Sequence, residues 1–254
     1  MTDAAATFAA KPLRTVFQPV IDADSGAPIA FQARVVEPDA ADAFERERLR
    51  YEAAIAAAAR AGIAGAEPML AIAMRPCGVD PNRQIAALFR AALAHRVPVE
   101  QLLVEVRIDA GADPEEAAGL VEACVLRGIE VALDGFSAGP AAMRLLARFG
   151  LRYVKLDAAL TRNIDQSMPR QLIAEGIARL ARRQGFTMIV QDIATPAELG
   201  VLYTMGVRHL QSHWIAPAVT AAQLPPRLGA RREPRVVRVT HESRPALRAE
   251  AAAA

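Results

Sequence analysis

Large rings are scarce in this chain, and so are cysteines. Aromatic residues make up 5% of the sequence, with a single Trp, while hydrophobic residues as a whole make up 53%. The interior must therefore be built from aliphatic strands and closely packed alanine-rich helices, and wholesale disorder is excluded. The two cysteines, Cys77 and Cys124, lie far apart and have no metal-ligand spacing, so both are expected to be buried free thiols in a reducing compartment. An excess of one charge is also missing: the formal net charge is +2. From Arg227 onward seven Arg and three Glu give a balance of +4, which leaves −2 for everything before it. A slightly acidic body is not a nucleic-acid surface. No apolar run approaches the ~18 residues needed to cross a bilayer. The opening MTDAAATFAAKPLR has no apolar core of a secretory signal. A soluble, cytoplasmic protein without membrane insertion is expected.

What the chain does have is alternation. Apolar runs of strand length stand at Leu13–Ile21, Pro28–Val36, Met69–Met74, Gln101–Ile108, Glu130–Asp134, Tyr153–Asp157, Thr187–Asp192 and His209–Ile215. Segments of helical period fall at Ala43–Ala61, Asn82–Arg96, Pro114–Arg127, Ala141–Phe149, Pro169–Gln184 and Pro196–Met205. Asp113 and Thr195 each precede a Pro and read as helix caps. The first two strands are joined by DADSGA, a loop with Gly at a turn position, and read as a hairpin. The expected fold is α/β: a modified (β/α)8 TIM-like barrel with an antiparallel first hairpin. Three regions are expected: a flexible segment over 1–12, the barrel over 13–224, and a basic, Pro/Arg-rich flexible tail over 225–254. Arg235–Thr240 is a short strand candidate within the tail.

In such barrels chemistry gathers at the C-terminal strand ends. Those ends carry Gln32, Ala73, Glu105, Asp134, Lys155, Gln191 and Gln211. A divalent-metal site wants several oxygen ligands with carboxylates among them. Here two acids, Glu105 and Asp134, come from neighbouring strands. Lys155 beside them is either an acid–base group or their counter-ion, and a buried ion-pair network at the barrel mouth is the simpler alternative.

Five fragments in order resemble the EAL domain family, bacterial cyclic di-GMP phosphodiesterases with a barrel fold. They are FQPV (Phe17–Val20), the strand after it, VALDGFSAG (Val131–Gly139), YVKLD (Tyr153–Asp157) and VQDIATPAELGVLYTMGVRHLQSHWIAPA (Val190–Ala218). They are similar to the family's opening strand, its Glu-Ala-Leu strand, DDFGTG, IKID, and AEGVET with the helix and QGY segment that follow. The resemblance implies a set of departures. The metal-binding Glu of Glu-Ala-Leu falls on Gln32, and the phosphate-binding Arg on Val36. The Asn ligand falls on Ala73, the second Asp of the pair on Gly135, and the Glu of AEGVET on Gln191. The second Glu of E-x-T-E falls on Ile108. Glu105, Asp134, Lys155 and Asp157 match the family site, as do Gln18 and Gln211.

Gln cannot supply the charge that holds a hard divalent ion, and Ala and Gly offer no side-chain oxygen. The resemblance thus implies a degenerate, catalytically inactive domain with no metal and no cofactor. Asp134 is read as a remnant that pairs with Lys155. The expected role is a regulatory protein-interaction module in bacterial signalling, its protein partner unidentified. The alternative is a metal-independent cyclic di-GMP receptor using Gln18, Arg34, Lys155 and Gln211, with Arg75 a substitute for the missing Arg. An active phosphodiesterase is the remaining alternative. In the receptor alternative, His213 and Trp214 would either stack on a guanine or block the pocket. Family members pair through helices near the loop after the fifth strand. Here that loop reads FSAGP, and a homodimer stays open.

Overall fold

The computed structural model describes residues 13–36, 38–40, 42–108 and 113–224. The expectations for 1–12 and 225–254, including the strand candidate at Arg235–Thr240, lie outside these residues.

Strand β1 (Thr15–Asp22) turns through Gly26, at φ +69°, into β2 (Pro28–Val35), forming the expected hairpin. Then follow α1 (Ala43–Arg60), β3 (Met69–Met74), α2 (Pro81–Ala94), β4 (Leu102–Arg107), α3 (Pro114–Val125), β5 (Glu130–Phe136) and α4 (Pro140–Phe149). The second half runs β6 (Tyr153–Leu156), α5 (Ala158–Thr161), α6 (Met168–Gln184), β7 (Thr187–Gln191), α7 (Pro196–Thr204), β8 (His209–Gln211) and β9 (Val219–Thr220). Strands β2 to β8 pair in parallel in chain order. Strand β1 is antiparallel to both β2 and β8 and closes an eight-stranded barrel. The short β9 adds to β1 beside Val16 and Phe17, where β8 has ended.

The helices and strands expected within the described residues are all present, with boundaries moved by a few residues. Two differences matter. Strand β5 does not end at Asp134 but continues to Phe136, through a register shift at Gly135 (φ +77°). Strand β8 stops at Gln211, not Ile215. The Ser212 hydroxyl donates to the Ile193 carbonyl and accepts the Trp214 N–H at 3.1 Å, turning the chain out of the sheet. His213 and Trp214 are consequently exposed. Of the two thiols, Cys124 is buried, and burial pushes its pKa up to about 12; Cys77 is only half-buried.

Period-two alternation decides what faces the barrel axis. Val20, Ala30, Ala71, Leu103, Ala132 and Ile189 pack together as one small apolar cluster inside the barrel. Their chain neighbours Phe31, Ile72, Val104, Leu133 and Val190 belong to the larger core under the helices. Moving two residues along each strand from the inner cluster reaches Gln18, Gln32, Ala73, Glu105, Asp134 and Gln191. This apolar cluster thus forms the floor of a polar layer at the barrel mouth.

Candidate functional site at the barrel mouth

The polar layer is a connected network. The Gln32 amide Nε2 donates to Glu105 Oε2, and Lys155 Nζ donates to Glu105 Oε1 at 2.9 Å. Gln211 Nε2 and Arg34 Nε both donate to Gln32 Oε1, at 2.8 Å and 3.0 Å. Lys155 and Glu105 are 0% and 1% exposed, so their pairing is fully withdrawn from water. A lysine ammonium in such a place needs a carboxylate partner, and the carboxylate needs donors on both oxygens. Glu105 has both. Gln18 is buried in the same layer, but among the described residues its Oε1 has no hydrogen-bond partner, and neither has Gln211 Oε1.

The pairing of Asp134 with Lys155 is corrected. The two residues are partners in register across β5 and β6. Yet Asp134 Oδ1 accepts from Gln191 Nε2 at 2.8 Å, and its Oδ2 lies 3.8 Å from Arg107 Nη1. The long lysine side chain crosses to Glu105, one strand further on. Asp157 is likewise not part of the network. Its carboxylate accepts the Ala159 N–H at 2.8 Å and caps the single turn of α5. Asp157→Ala is therefore expected to cost about 1 kcal/mol in urea unfolding and to leave every ligand-binding property of the mouth unchanged.

Beside the network lies a cavity of about 200 Å³. Gln32, Ala73, Glu105, Asp134 and Gln191 line it, and four arginines surround it: Arg34, Arg50, Arg75 and Arg107. Arg34 and Arg75 were legible from strand positions. Arg50 and Arg107 were not singled out. Arg107 could have been found, since it stands two residues beyond Glu105 on the same strand face. Arg50 comes from α1, where it bonds Glu47 at 2.7 Å, and no motif marks it.

Gly135 has a positive φ and a Cβ there would come 3.6 Å from the Ile108 carbonyl. Space exists for a side chain, but the left-handed backbone disfavours one.

The donors around the two acids bear on whether a divalent cation could be held here. Such an ion needs oxygen lone pairs pointed at it, whereas both Glu105 oxygens and one Asp134 oxygen face N–H donors, one of them an ammonium. Among the described residues no group of three or more His, Cys, Asp or Glu side chains is close enough to hold a metal ion.

The sequence profile of the EAL domain matches residues 2–218. The chain belongs to the EAL domain family. Relatives include the blue light- and temperature-regulated antirepressor BluF of Escherichia coli K12, 28% identical over 215 residues, which are 80% of this chain and 53% of BluF. The probable cyclic di-GMP phosphodiesterase PdeN of the same organism is 29% identical over 89 residues, 35% of this chain and 17% of PdeN. This EAL domain thus spans about half the length of the first relative and less of the second. Its fold is shared with a standalone EAL protein of Vibrio cholerae solved with c-di-GMP bound (TM-score 0.70, 24% identity, 82% of this chain and 93% of that one). It is shared also with BlrP1 of Klebsiella pneumoniae in a manganese/cy-diGMP complex (TM-score 0.74, 22% identity, 84% and 58%). No helix among the described residues is long and apolar enough to cross a membrane.

Proposed function

We propose that this EAL domain acts by binding and not by hydrolysis, as a regulatory protein-interaction module in cytoplasmic bacterial signalling. One observation carries the reading: at the mouth the two acids are already engaged by Gln32, Lys155 and Gln191. Two-metal hydrolysis needs those oxygens free and a hydroxide held between two cations. Here their charge is spent on internal donors. The alignment with BluF, a protein named for opposing a repressor, over 80% of this chain supports an interaction role. The test is incubation of the protein with cyclic di-GMP and Mg²⁺ or Mn²⁺. No linear product is expected. Metal-dependent turnover would overturn the proposal.

A second reading, a metal-independent cyclic di-GMP receptor, is favoured by the four arginines around the cavity. Guanidinium groups bind phosphate oxygens in pairs and could replace the charge that metals supply elsewhere. Calorimetric titration with the nucleotide in the absence of metal separates the two readings. Heat that ignores added Mg²⁺ makes the domain a receptor, and no heat leaves the interaction module.

A further inference from the structure

Just beyond the Gln32–Glu105 network the strand ends turn basic. Arg34 on β2, Arg75 just past β3 and Arg107 on β4 each stand two residues beyond Gln32, Ala73 and Glu105, on the same inward faces of three neighbouring strand ends. All three are exposed, and all three line the cavity of about 200 Å³ at the mouth. Ala73 pairs with Glu105 and Met74 with Val106, so Arg75 and Arg107 follow next to each other on adjacent strand ends. Like charges so placed repel. Arg50 brings a fourth guanidinium from α1. Its Nη1 is held by Glu47 at 2.7 Å, and Glu47 in turn accepts the Tyr51 hydroxyl at 3.1 Å. The backbone at Arg75 is fixed as well, because Gln84 Nε2 donates to its carbonyl at 2.6 Å.

Charge balance says what the cavity lacks. Glu105 is met by Lys155, Asp134 by Arg107 at 3.8 Å, and Arg50 by Glu47. Arg34 and Arg75 pair with no carboxylate among the described residues, and Arg34 Nε bonds the neutral Gln32 amide oxygen at 3.0 Å. Two positive charges are thus left at one small cavity. A phosphomonoester brings a charge of roughly −1.5 to −2 at pH 7 and three acceptor oxygens in a single group. A phosphodiester brings a single charge and two free oxygens. Guanidinium forks bind such oxygens two at a time. A volume below the roughly 300–1,000 Å³ of small-molecule pockets suits one phosphate group better than a whole dinucleotide.

We propose that the arginines of the mouth bind a phosphomonoester dianion in preference to a phosphodiester. The inference rests on the receptor reading's premise that guanidinium groups stand in for metal charge, and it names a different class of ligand for the same site.

The test is calorimetric titration of the full chain, without metal, with guanosine 5′-monophosphate, guanosine 3′,5′-cyclic phosphate and inorganic phosphate. The two nucleotides share base and sugar and differ in having a monoester or a diester. The monoester should bind at least about tenfold more tightly than the cyclic diester. Arg75→Gln should weaken the monoester by at least about tenfold and melt with the wild type, since the Arg75 side chain is exposed. Arg148→Gln, at a residue that pairs with Glu122 and does not line the cavity, should change neither. Inorganic phosphate binding at least as tightly as the monoester assigns the site to free phosphate; weaker binding assigns it to a phosphate carried on a nucleoside. No heat from either, a cyclic diester that binds as tightly as the better of the two, or unchanged affinity in Arg75→Gln would each overturn the proposal. Cyclic di-GMP binding more tightly than the monoester would overturn it and leave the receptor reading standing. Monoester binding with no heat from cyclic di-GMP would do the reverse.

Discussion

Lys155→Met should destabilise the barrel by roughly 3–5 kcal/mol, the typical cost of leaving one member of a buried ion pair alone. At this domain size that is a fall in melting temperature of roughly 10 °C. The cause is what remains. Glu105 is 1% exposed and would be left with only the Gln32 amide to meet its carboxylate. The double variant Lys155→Met/Glu105→Gln removes the charge as well and should recover most of the loss. Thermal melts of wild type, both single variants and the double variant form the cycle that checks this. A single Lys155→Met protein that melts with the wild type would mean that the pair contributes nothing and that the network is not what holds the mouth.

Gln32→Glu should be almost as damaging, and no more active. It recreates the acid of the family's Glu-Ala-Leu strand, but the present partner of Gln32 Nε2 is Glu105. The change turns a donor–acceptor contact into two facing carboxylates, with Lys155 and Arg34 as the nearby cations. A loss on the order of 3 kcal/mol is expected, and Mn²⁺ should not restore it. Ala73, Gly135 and Gln191 would still fail to complete a ligand set, and Gly135 cannot be repaired cheaply because its φ of +77° resists any side chain. The measurement is a melt with and without Mn²⁺, alongside a hydrolysis assay. A metal-induced rise in melting temperature, or product formation, would show a mouth ready to accept ions and would refute the charge argument.

Most of the fold was legible because apolar runs of strand length alternate with longer segments of helical period. That pattern survives in a single sequence. Strand β8 was overextended because Trp214 and Ile215 continue an apolar run, while the turn depends on one hydroxyl, that of Ser212, reaching Ile193 across the fold. The four residues of α5 are too few to show a period. At the site, positions were legible and partners were not. Strand order places Lys155 nearest Asp134, and only the three-dimensional arrangement reveals that Arg107 and Gln191 already attend Asp134 and that the lysine reaches past it. Arg50 was invisible because a helix, not a strand end, delivers it to the cavity. The role of the Asp157 carboxylate as the cap of α5 was equally invisible, because a four-residue helix leaves no period to mark its start.

The closing strand has its own consequence for how the chain is made. Strand β1 is the first strand described, yet its partners β8 and β9 are the last. A ribosome therefore releases β1 and its hairpin mate long before the seam can form, and the barrel stays an open sheet until nearly all of the described chain has emerged. Contacts this distant in sequence are slow to find one another. During that interval β1 offers an unpaired edge of the kind that invites association with other chains. The run from Thr15 to Asp22 is thus where a nascent or truncated copy of this domain is most in need of a chaperone.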